Sequence, residues 1–203
     1  MPGCRTFPDS RVPAAPTRIK VLVTGGFGAG KTSLVGAVSE IAPLSTDVPL
    51  TQASAATDDL TGLQHKTATT VAMDFGRLTL PSGIVIYLFG TPGQARFDLI
   101  SRQLGRGAAG GILVVDPRRL ADSFTPLDFL EDHRLPLVVA VNQFDASPRY
   151  TAQDIRQALD VTPDVPVVGC DARVRASATN VVRSVLLRAR DATPRPQPTG
   201  AHP

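Results

Sequence analysis

The sequence predicts an α/β fold in which a mostly parallel sheet of six strands is covered by helices on both faces. The first observation is that the apolar runs at residues 84–89, 112–115 and 137–141 are continuous rather than alternating. Such runs are typical of strands that are buried on both sides in a parallel sheet. The second observation is that strand-like runs alternate with segments whose apolar residues are spaced as on a helix face. A sheet of this kind binds its ligand at the carboxyl ends of the strands.

The elements follow one another in a regular order. Residues 19–24 form a β-branched strand, and residues 31–41 carry apolar residues on one helical face. Residues 43–69 contain two prolines among many Ser, Thr, Ala and Asp residues, and they are predicted to be a long connection, which in a compact domain is usually functional or mobile. The later predicted strands are 71–80, 84–89, 110–115, 136–141 and 165–169, and the later helices are 94–105, 120–132, 152–159 and 174–190.

Length and composition predict one domain with two tails. A chain of 203 residues with a hydrophobic fraction of 42% can build a single core. Proline-rich polar stretches at both ends predict a disordered arm at 1–17 and a disordered tail at 191–203. The domain is therefore expected to span residues 18–190.

Composition also excludes several functional classes. The net charge of +3 comes without a dense basic run, so no nucleic-acid interface is predicted. No apolar run reaches the ~18–20 residues of a transmembrane helix. The two cysteines, Cys4 and Cys170, carry no disulfide framework. We therefore expect a cytoplasmic protein, peripheral at a membrane only through partners.

A glycine-rich segment between the first strand and the first helix carries the strongest chemical signal. It fits the pattern G-x-x-x-x-G-K-[ST], with the lysine at Lys31 and the hydroxyl at Thr32. Backbone N–H groups of such a turn point at phosphate oxygens, and the helix N-terminus adds partial positive charge. Lys31 would reach the β- and γ-phosphates, and Thr32 would bind Mg²⁺. The candidate nucleotide-binding residues here are Gly25, Gly28, Ala29, Gly30, Lys31, Thr32 and Ser33.

Two further segments stand where the phosphate loop would find partners. Thr70 opens the second predicted strand, where its hydroxyl could bind Mg²⁺ and its N–H the γ-phosphate. Gly93 and Gln94 follow the third strand. The N–H of Gly93 could contact the γ-phosphate, and Gln94 could orient the attacking water.

The ends of the fifth and sixth predicted strands carry candidate base-binding residues. A carboxylate at Asp145 can accept both the N1–H and the 2-amino group of guanine, whereas adenine would leave it facing an unpaired edge. A backbone N–H after the sixth strand could meet the 6-oxo group. The candidates in these two segments are Asn142, Gln143, Asp145, Asp171, Ala172 and Arg173.

In this order, the segments resemble the five motifs of the Ras-like small GTPases, over residues 19–190. Residues 25–32 resemble the phosphate loop, and Thr70 resembles the switch I threonine. Gly93 and Gln94 resemble the glycine and glutamine of switch II. Residues 142–145 match the ends of the N-K-x-D base motif, and residues 171–173 look like the S-A-K loop. The variants Thr-Pro-Gly-Gln and Asn-Gln-x-Asp are most similar to bacterial members of the MglA and actinobacterial conservon type.

The resemblance implies a P-loop NTPase G domain that binds GTP or GDP with Mg²⁺ and acts as a molecular switch in signalling. It implies roles for Lys31, Thr70 and Gln94 in hydrolysing GTP to GDP and phosphate, slowly without a partner. It also implies Thr32 and Thr70 at the metal. Relatives work with roadblock-type regulatory proteins, often alongside histidine-kinase-like sensors, so partners of these kinds and an effector are expected.

Two alternatives stay open from the sequence. One is a GTP-binding scaffold that does not hydrolyse its ligand. The other is a different P-loop enzyme, such as an ATPase or a small kinase. A kinase needs a lid, and the chain has no arginine-rich lid segment. Retention of Gln94 favours hydrolysis over the scaffold.

The chain departs from the family pattern at two positions. Gly90 replaces the Mg²⁺-linked aspartate that the family carries before Thr-x-x-Gly, so no carboxylate is expected there and Mg²⁺ binding should be weaker. An aspartate of the long connection, Asp47, Asp58 or Asp59, is a possible substitute. Gln143 replaces the lysine of the base motif, which should lower affinity more than selectivity.

Overall fold

The computed structural model describes residues 16–42, 44–49, 70–91, 103–145 and 148–192. The predicted terminal arm and tail therefore fall outside the described residues, apart from 16–17 and 191–192. The same holds for most of the predicted connection 43–69 and of the predicted helix 94–105. Of that helix, residues 103–105 are described, and they are helical.

Seven strands and four α-helices are described, together with a 3₁₀ turn at Leu120–Ser123. The strands are β1 Arg18–Thr24, β2 Leu44–Pro49, β3 Thr70–Thr79, β4 Val85–Gly90, β5 Gly110–Val115, β6 Leu137–Asn142 and β7 Val167–Cys170. The helices are α1 Lys31–Val38, α2 Phe124–Asp132, α3 Ala152–Ala158 and α4 Arg175–Ala192.

All seven strands form a single sheet, in the order β2-β3-β4-β1-β5-β6-β7. Strands β4, β1, β5, β6 and β7 are parallel neighbours, whereas β3 is antiparallel to both β2 and β4. The predicted fold class, a mostly parallel α/β sheet of the P-loop NTPase type, is confirmed. Because β1 lies in the middle of the sheet, the loop that follows it opens at the centre of the carboxyl edge.

The first difference from the prediction is the strand β2, which lies within the segment predicted as a connection. It pairs antiparallel with β3, from Leu44 opposite Phe75 to Pro49 opposite Thr70. Its sequence, LSTDVP, mixes polar and apolar residues without a clear period. An edge strand is held by backbone hydrogen bonds on one side and tolerates proline, so the hydrophobic pattern does not reveal it.

The second difference is that α1 ends at Val38, although residues 31–41 were predicted to be helical. Ser39 has an extended backbone, with φ −62° and ψ 139°. The Glu40 N–H then donates to the Arg77 carbonyl at 2.8 Å, and the Arg77 N–H donates to Ser39 Oγ. Hydrogen bonds to β3 take the place of the next helical turn. Because these bonds are long-range, the local hydrophobic periodicity does not predict them.

The core lies in two layers, one on each face of the sheet. Successive strand residues point to opposite faces, and Val21, Leu22 and Val23 of β1 are each at most 1% exposed. Val21 and Val23 pack in the layer that contains α1 and α4, and Leu22 packs in the layer that contains α2 and α3. Burial on both faces explains why the central strands are continuous apolar runs.

No helix among the described residues combines the length and the apolar content that a bilayer crossing requires.

Candidate functional site

The glycine-rich loop runs from the end of β1 into α1, at the carboxyl edge of the sheet. Gly30 has φ +106°, which is in the left-handed region that favours glycine. A Cβ atom there would lie 2.3 Å from Nδ2 of Asn142. The position therefore requires glycine both for its backbone conformation and for the close approach of the base segment.

Lys31 lies beneath this loop and is only 8% exposed. Its Nζ donates to the carbonyl oxygens of Gly25 and Gly26, at 2.9 and 2.8 Å. Burial lowers the pKa of Lys31, and the negative charge of Asp74 opposes that shift. The ammonium is thus held at the loop, where phosphate oxygens can replace the carbonyl acceptors.

The Thr32 hydroxyl donates to Oδ2 of Asp74 on β3, at 2.6 Å. Asp74 is directly opposite Gly90 in the antiparallel register of β3 and β4. The expectation that no carboxylate stands beside Gly90 is therefore wrong, because the neighbouring strand supplies one. Two of the proposed substitutes, residues 58 and 59, lie outside the described residues. The third, Asp47 on β2, is opposite Ala72 of β3.

Asn142, at the end of β6, connects the phosphate loop to the loop after β7. It is 4% exposed. Its Nδ2 donates to the Ala29 carbonyl at 2.9 Å, and its Oδ1 accepts from the Ala172 N–H at 3.0 Å. Buried polar groups of this kind are costly to leave unpaired. The amide therefore fixes the spacing between the loop that would hold phosphates and the loops that would hold a base.

Arg173 joins two carboxylates at the base end of the site. Its Nη1 and Nη2 donate to Asp145 at 3.2 and 3.3 Å, and its Nη2 also donates to Asp171 at 3.0 Å. The hydrogen bonds from Arg173 lower the pKa of both carboxyl groups and raise the pKa of the guanidinium. Asp145, whose side chain is 90% exposed, is therefore ionised at neutral pH.

A second arginine holds the loop that carries Asp145. Arg118 makes a two-oxygen ion pair with the buried Asp116, at 2.9 and 2.7 Å. Its guanidinium lies 3.8 Å from the centre of the Phe144 ring, the geometry of a cation–π contact. The hydrogen bond from Arg118 lowers the pKa of Asp116. These contacts hold Phe144, which directly precedes Asp145 in the chain.

A cleft of about 620 Å³ opens beside these residues and is lined by Gln143, Phe144, Asp145, Tyr150, Asp171 and Arg173, among others. Its size lies within the range of small-molecule sites. Polar groups line most of it, as a heterocyclic base with several hydrogen-bonding groups would require. Gln143, one of the lining residues, is exposed.

The structure brings most of the predicted site residues to one edge of the sheet. The phosphate loop, Lys31, Thr32 and Ser33 begin α1, and the two base segments meet through Asn142. The backbone of Thr70 begins β3. Gly93 and Gln94 lie outside the described residues, so their predicted roles are untested.

Asp74 is a site residue that was not among those predicted from the sequence. The signal that could have revealed it is an aspartate inside a strand that otherwise carries mainly apolar and small residues, TVAMDFGRLT. Only the strand register, with Gly90 opposite, shows what that residue faces.

Comparison with known proteins gives a family match and one distant relative. A family model described as "Conserved hypothetical ATP binding protein" matches residues 23–191. The chain is also similar to the uncharacterized protein MJ1339 of Methanocaldococcus jannaschii. The two are 26% identical over 137 residues, which cover 66% of this chain and 76% of that protein.

Solved G domains share the fold. The G domain of the FeoB iron transporter of T. maritima superposes with a TM-score of 0.60 at 20% identity, covering 85% of this chain and 99% of that one. The Arl6 BBS3 small GTPase of Trypanosoma brucei, solved with bound GppNp, gives 0.61 at 18% identity, with 87% and 100% covered. The chain therefore shares the fold of these G domains, and with the family match this supports a P-loop nucleotide-binding protein.

Proposed function

Because this chain belongs to the family of conserved hypothetical ATP binding proteins, nucleotide binding is the premise, and we propose that its nucleotide is GTP. In this proposal the protein is a molecular switch that hydrolyses GTP to GDP and phosphate, slowly without a partner. The observation that carries the proposal is the link through Asn142. It joins a lysine-containing phosphate loop to a loop that ends in the ionised carboxylate of Asp145.

The choice of guanine rests on hydrogen-bond chemistry at Asp145. Guanine presents two adjacent donors, N1–H and the 2-amino group, which suit the two oxygens of one carboxylate. Adenine presents an acceptor and a C–H at the same edge, so its binding would leave the carboxylate unpaired. This chemistry favours GTP, even though the family description names ATP.

The Arg173 ion pair does not block this interaction. Asp145 is 90% exposed and Arg173 is 58% exposed, and an ion pair this open to solvent contributes little free energy. Two charge-assisted hydrogen bonds from guanine would contribute more binding free energy than this ion pair, since hydrogen bonds to charged groups are typically worth about 1.5–3 kcal/mol each. A bound base would therefore displace the arginine, which keeps Asp171 as its second partner.

At the phosphate end of the site, each proposed role is assigned to a named side chain of this protein. Lys31 would bind the β- and γ-phosphates, and Thr32 with Thr70 would hold Mg²⁺, which when bound neutralises phosphate charge. Gln94 would orient the attacking water. Hydroxyl and carboxylate oxygens at Thr32 and Asp74 are the ligand types that Mg²⁺ prefers, directly or through water.

The proposal extends to partners and location. By the resemblance of its motifs to the MglA and conservon group, the switch would act in signalling with a roadblock-type regulatory protein, a histidine-kinase-like sensor and an effector. It would work in the cytoplasm. Co-purification of this chain with a roadblock-type protein in a nucleotide-dependent manner would support that extension.

Competition against fluorescently labelled GDP tests the choice of base. We expect unlabelled GTP and GDP to displace the probe at similar concentrations, and ATP to require at least ~100-fold more, because a site built around a base donor pair rejects a base that lacks it. Equal displacement by ATP would contradict the guanine assignment and favour an ATPase. Failure of any nucleotide to displace the probe would contradict nucleotide binding at this loop.

Hydrolysis is tested through Gln94. In Gln94→Leu, multiple-turnover phosphate release from GTP is expected to fall by at least ~10-fold, because the attacking water loses its orienting amide. GDP affinity should remain unchanged. Gln103→Leu, at an exposed residue of the helical turn 103–105, is the matched control and should hydrolyse GTP at the parental rate. If Gln94→Leu releases phosphate at the parental rate, Gln94 does not orient the attacking water. If the parent itself releases no phosphate, the non-hydrolysing scaffold is the better assignment.

A further inference from the structure

The antiparallel pair β3–β4 places a carboxylate where Gly90 has no side chain. Asp74 and Gly90 are direct partners in the register. A Cβ atom built on Gly90 would lie 2.8 Å from Cβ of Asp74 and 3.0 Å from its Oδ2. The space that a side chain at residue 90 would occupy is therefore filled by the side chain of Asp74. The glycine on β4 thus leaves room for the carboxylate on β3.

The same carboxylate reaches the first helical turn after the phosphate loop. Its Oδ2 accepts the proton of the Thr32 hydroxyl at 2.6 Å. A hydroxyl has one proton to donate and two lone pairs, so this bond directs the Thr32 lone pairs away from Asp74. Asp74 also acts electrostatically on the buried Lys31. Asp74 thus contacts Thr32 directly and acts on the charge of Lys31, the residue before it.

From this geometry we propose that Asp74 is the outer carboxylate of the Mg²⁺–nucleotide site, carried by β3 instead of by β4. The inference rests on the proposed function, because it concerns the metal of the same nucleotide. Asp74 would orient the Thr32 hydroxyl toward the metal and accept hydrogen bonds from metal-bound water, as second-shell carboxylates do. Gly90 then leaves Mg²⁺ binding intact, and the weaker metal site expected from the sequence is replaced by a site of ordinary strength.

The test measures how Mg²⁺ controls release of the nucleotide. Labelled GDP is loaded onto the protein, and its dissociation rate is followed over a Mg²⁺ titration and after chelation with EDTA. In the parent protein, Mg²⁺ is expected to slow release at least ~10-fold. In Asp74→Asn, which keeps the shape but removes the charge, the Mg²⁺ concentration for half-maximal slowing should rise by about 10- to 100-fold. Release in EDTA should stay within about threefold of the parent rate, because the variant retains its phosphate loop.

Two further variants keep the test decisive. Asp47→Asn removes the competing aspartate on β2 and should leave the Mg²⁺ titration unchanged. The exchange variant Asp74→Gly/Gly90→Asp moves the carboxylate to β4 and frees the space for it, so it should recover a Mg²⁺ requirement within about tenfold of the parent. Gly90→Asp alone puts two carboxylates in one space and should weaken Mg²⁺-dependent retention of GDP.

The outcomes separate this inference from the proposed function. If the parent binds GDP with a clear Mg²⁺ effect and Asp74→Asn keeps that effect, or if Asp47→Asn removes it, the inference is overturned while nucleotide binding stands. If the parent binds no nucleotide, the proposed function falls and the inference falls with it. A melting temperature for each nucleotide-free variant close to that of the parent assigns the change in Mg²⁺ requirement to the site rather than to the fold.

Discussion

Replacing Lys31 by methionine is expected to abolish high-affinity nucleotide binding. Lys31 is 8% exposed, and its two present acceptors are loop carbonyls at 2.9 and 2.8 Å, so the ammonium is already held at the loop. Removing one partner of a buried charge pair typically costs about 2–5 kcal/mol, which corresponds to roughly 30- to 4,000-fold in affinity. Equilibrium titration with labelled GDP measures the loss.

The fold itself should survive this substitution. Burial lowers the pKa of Lys31, which means that the charged form is less favoured in the folded protein than in the unfolded chain. Methionine has a similar length and needs no hydrogen bonds, so the nucleotide-free variant should melt at or above the parental temperature. Lys20→Met is the matched control, because Lys20 lies on β1 but donates to the Arg106 carbonyl, away from the loop. Parental GDP affinity in Lys31→Met would refute the assignment of the phosphate loop.

The parts of the fold that the sequence predicts are those set by burial and by local chain geometry. Residues 110–115 and 137–141 are apolar throughout because β5 and β6 are covered on both faces, and a pattern of that kind is visible in the sequence alone. The strand β2 and the early end of α1 both depend on hydrogen bonds to β3, whose paired residues are 21 to 38 positions away along the chain. The local hydrophobic periodicity of the sequence cannot predict such long-range pairing.

In the candidate site, too, some parts could be predicted from the sequence and others could not. The phosphate loop and the base segments are continuous in sequence, so their positions at strand ends could be predicted, and the amide of Asn142 brings them together. The role of Asp74 could not be predicted, because it depends on which residue of β4 stands opposite. The contact of Arg173 with Asp145 joins residues 28 positions apart in an exposed loop region, where sequence patterns give no register.

The substitution Asp145→Asn is expected to exchange guanine for xanthine. Xanthine has a 2-oxo group in place of the 2-amino group and retains the N1–H. An asparagine can accept from N1–H through Oδ1 and donate to the 2-oxo group through Nδ2. Against guanine, the same Nδ2 would face the 2-amino group, which is a second donor. The lost charge-assisted hydrogen bond and the unpaired donor together should weaken GDP binding by roughly 10²- to 10³-fold.

Competition of labelled XDP and labelled GDP on parent and variant measures this exchange. The variant should bind XDP more tightly than GDP, and the parent should show the reverse order. Asp164→Asn is the control, because Asp164 is also an exposed aspartate paired with an arginine, Arg188, but lies between α3 and β7. It loses an ion pair of the same kind without a change at the base, so it should bind both nucleotides as the parent does. A variant at Asp145 that still prefers GDP would mean that this carboxylate does not contact the base. Such a result would leave the guanine preference without a chemical basis in the loops that Asn142 joins, whatever the phosphate loop binds.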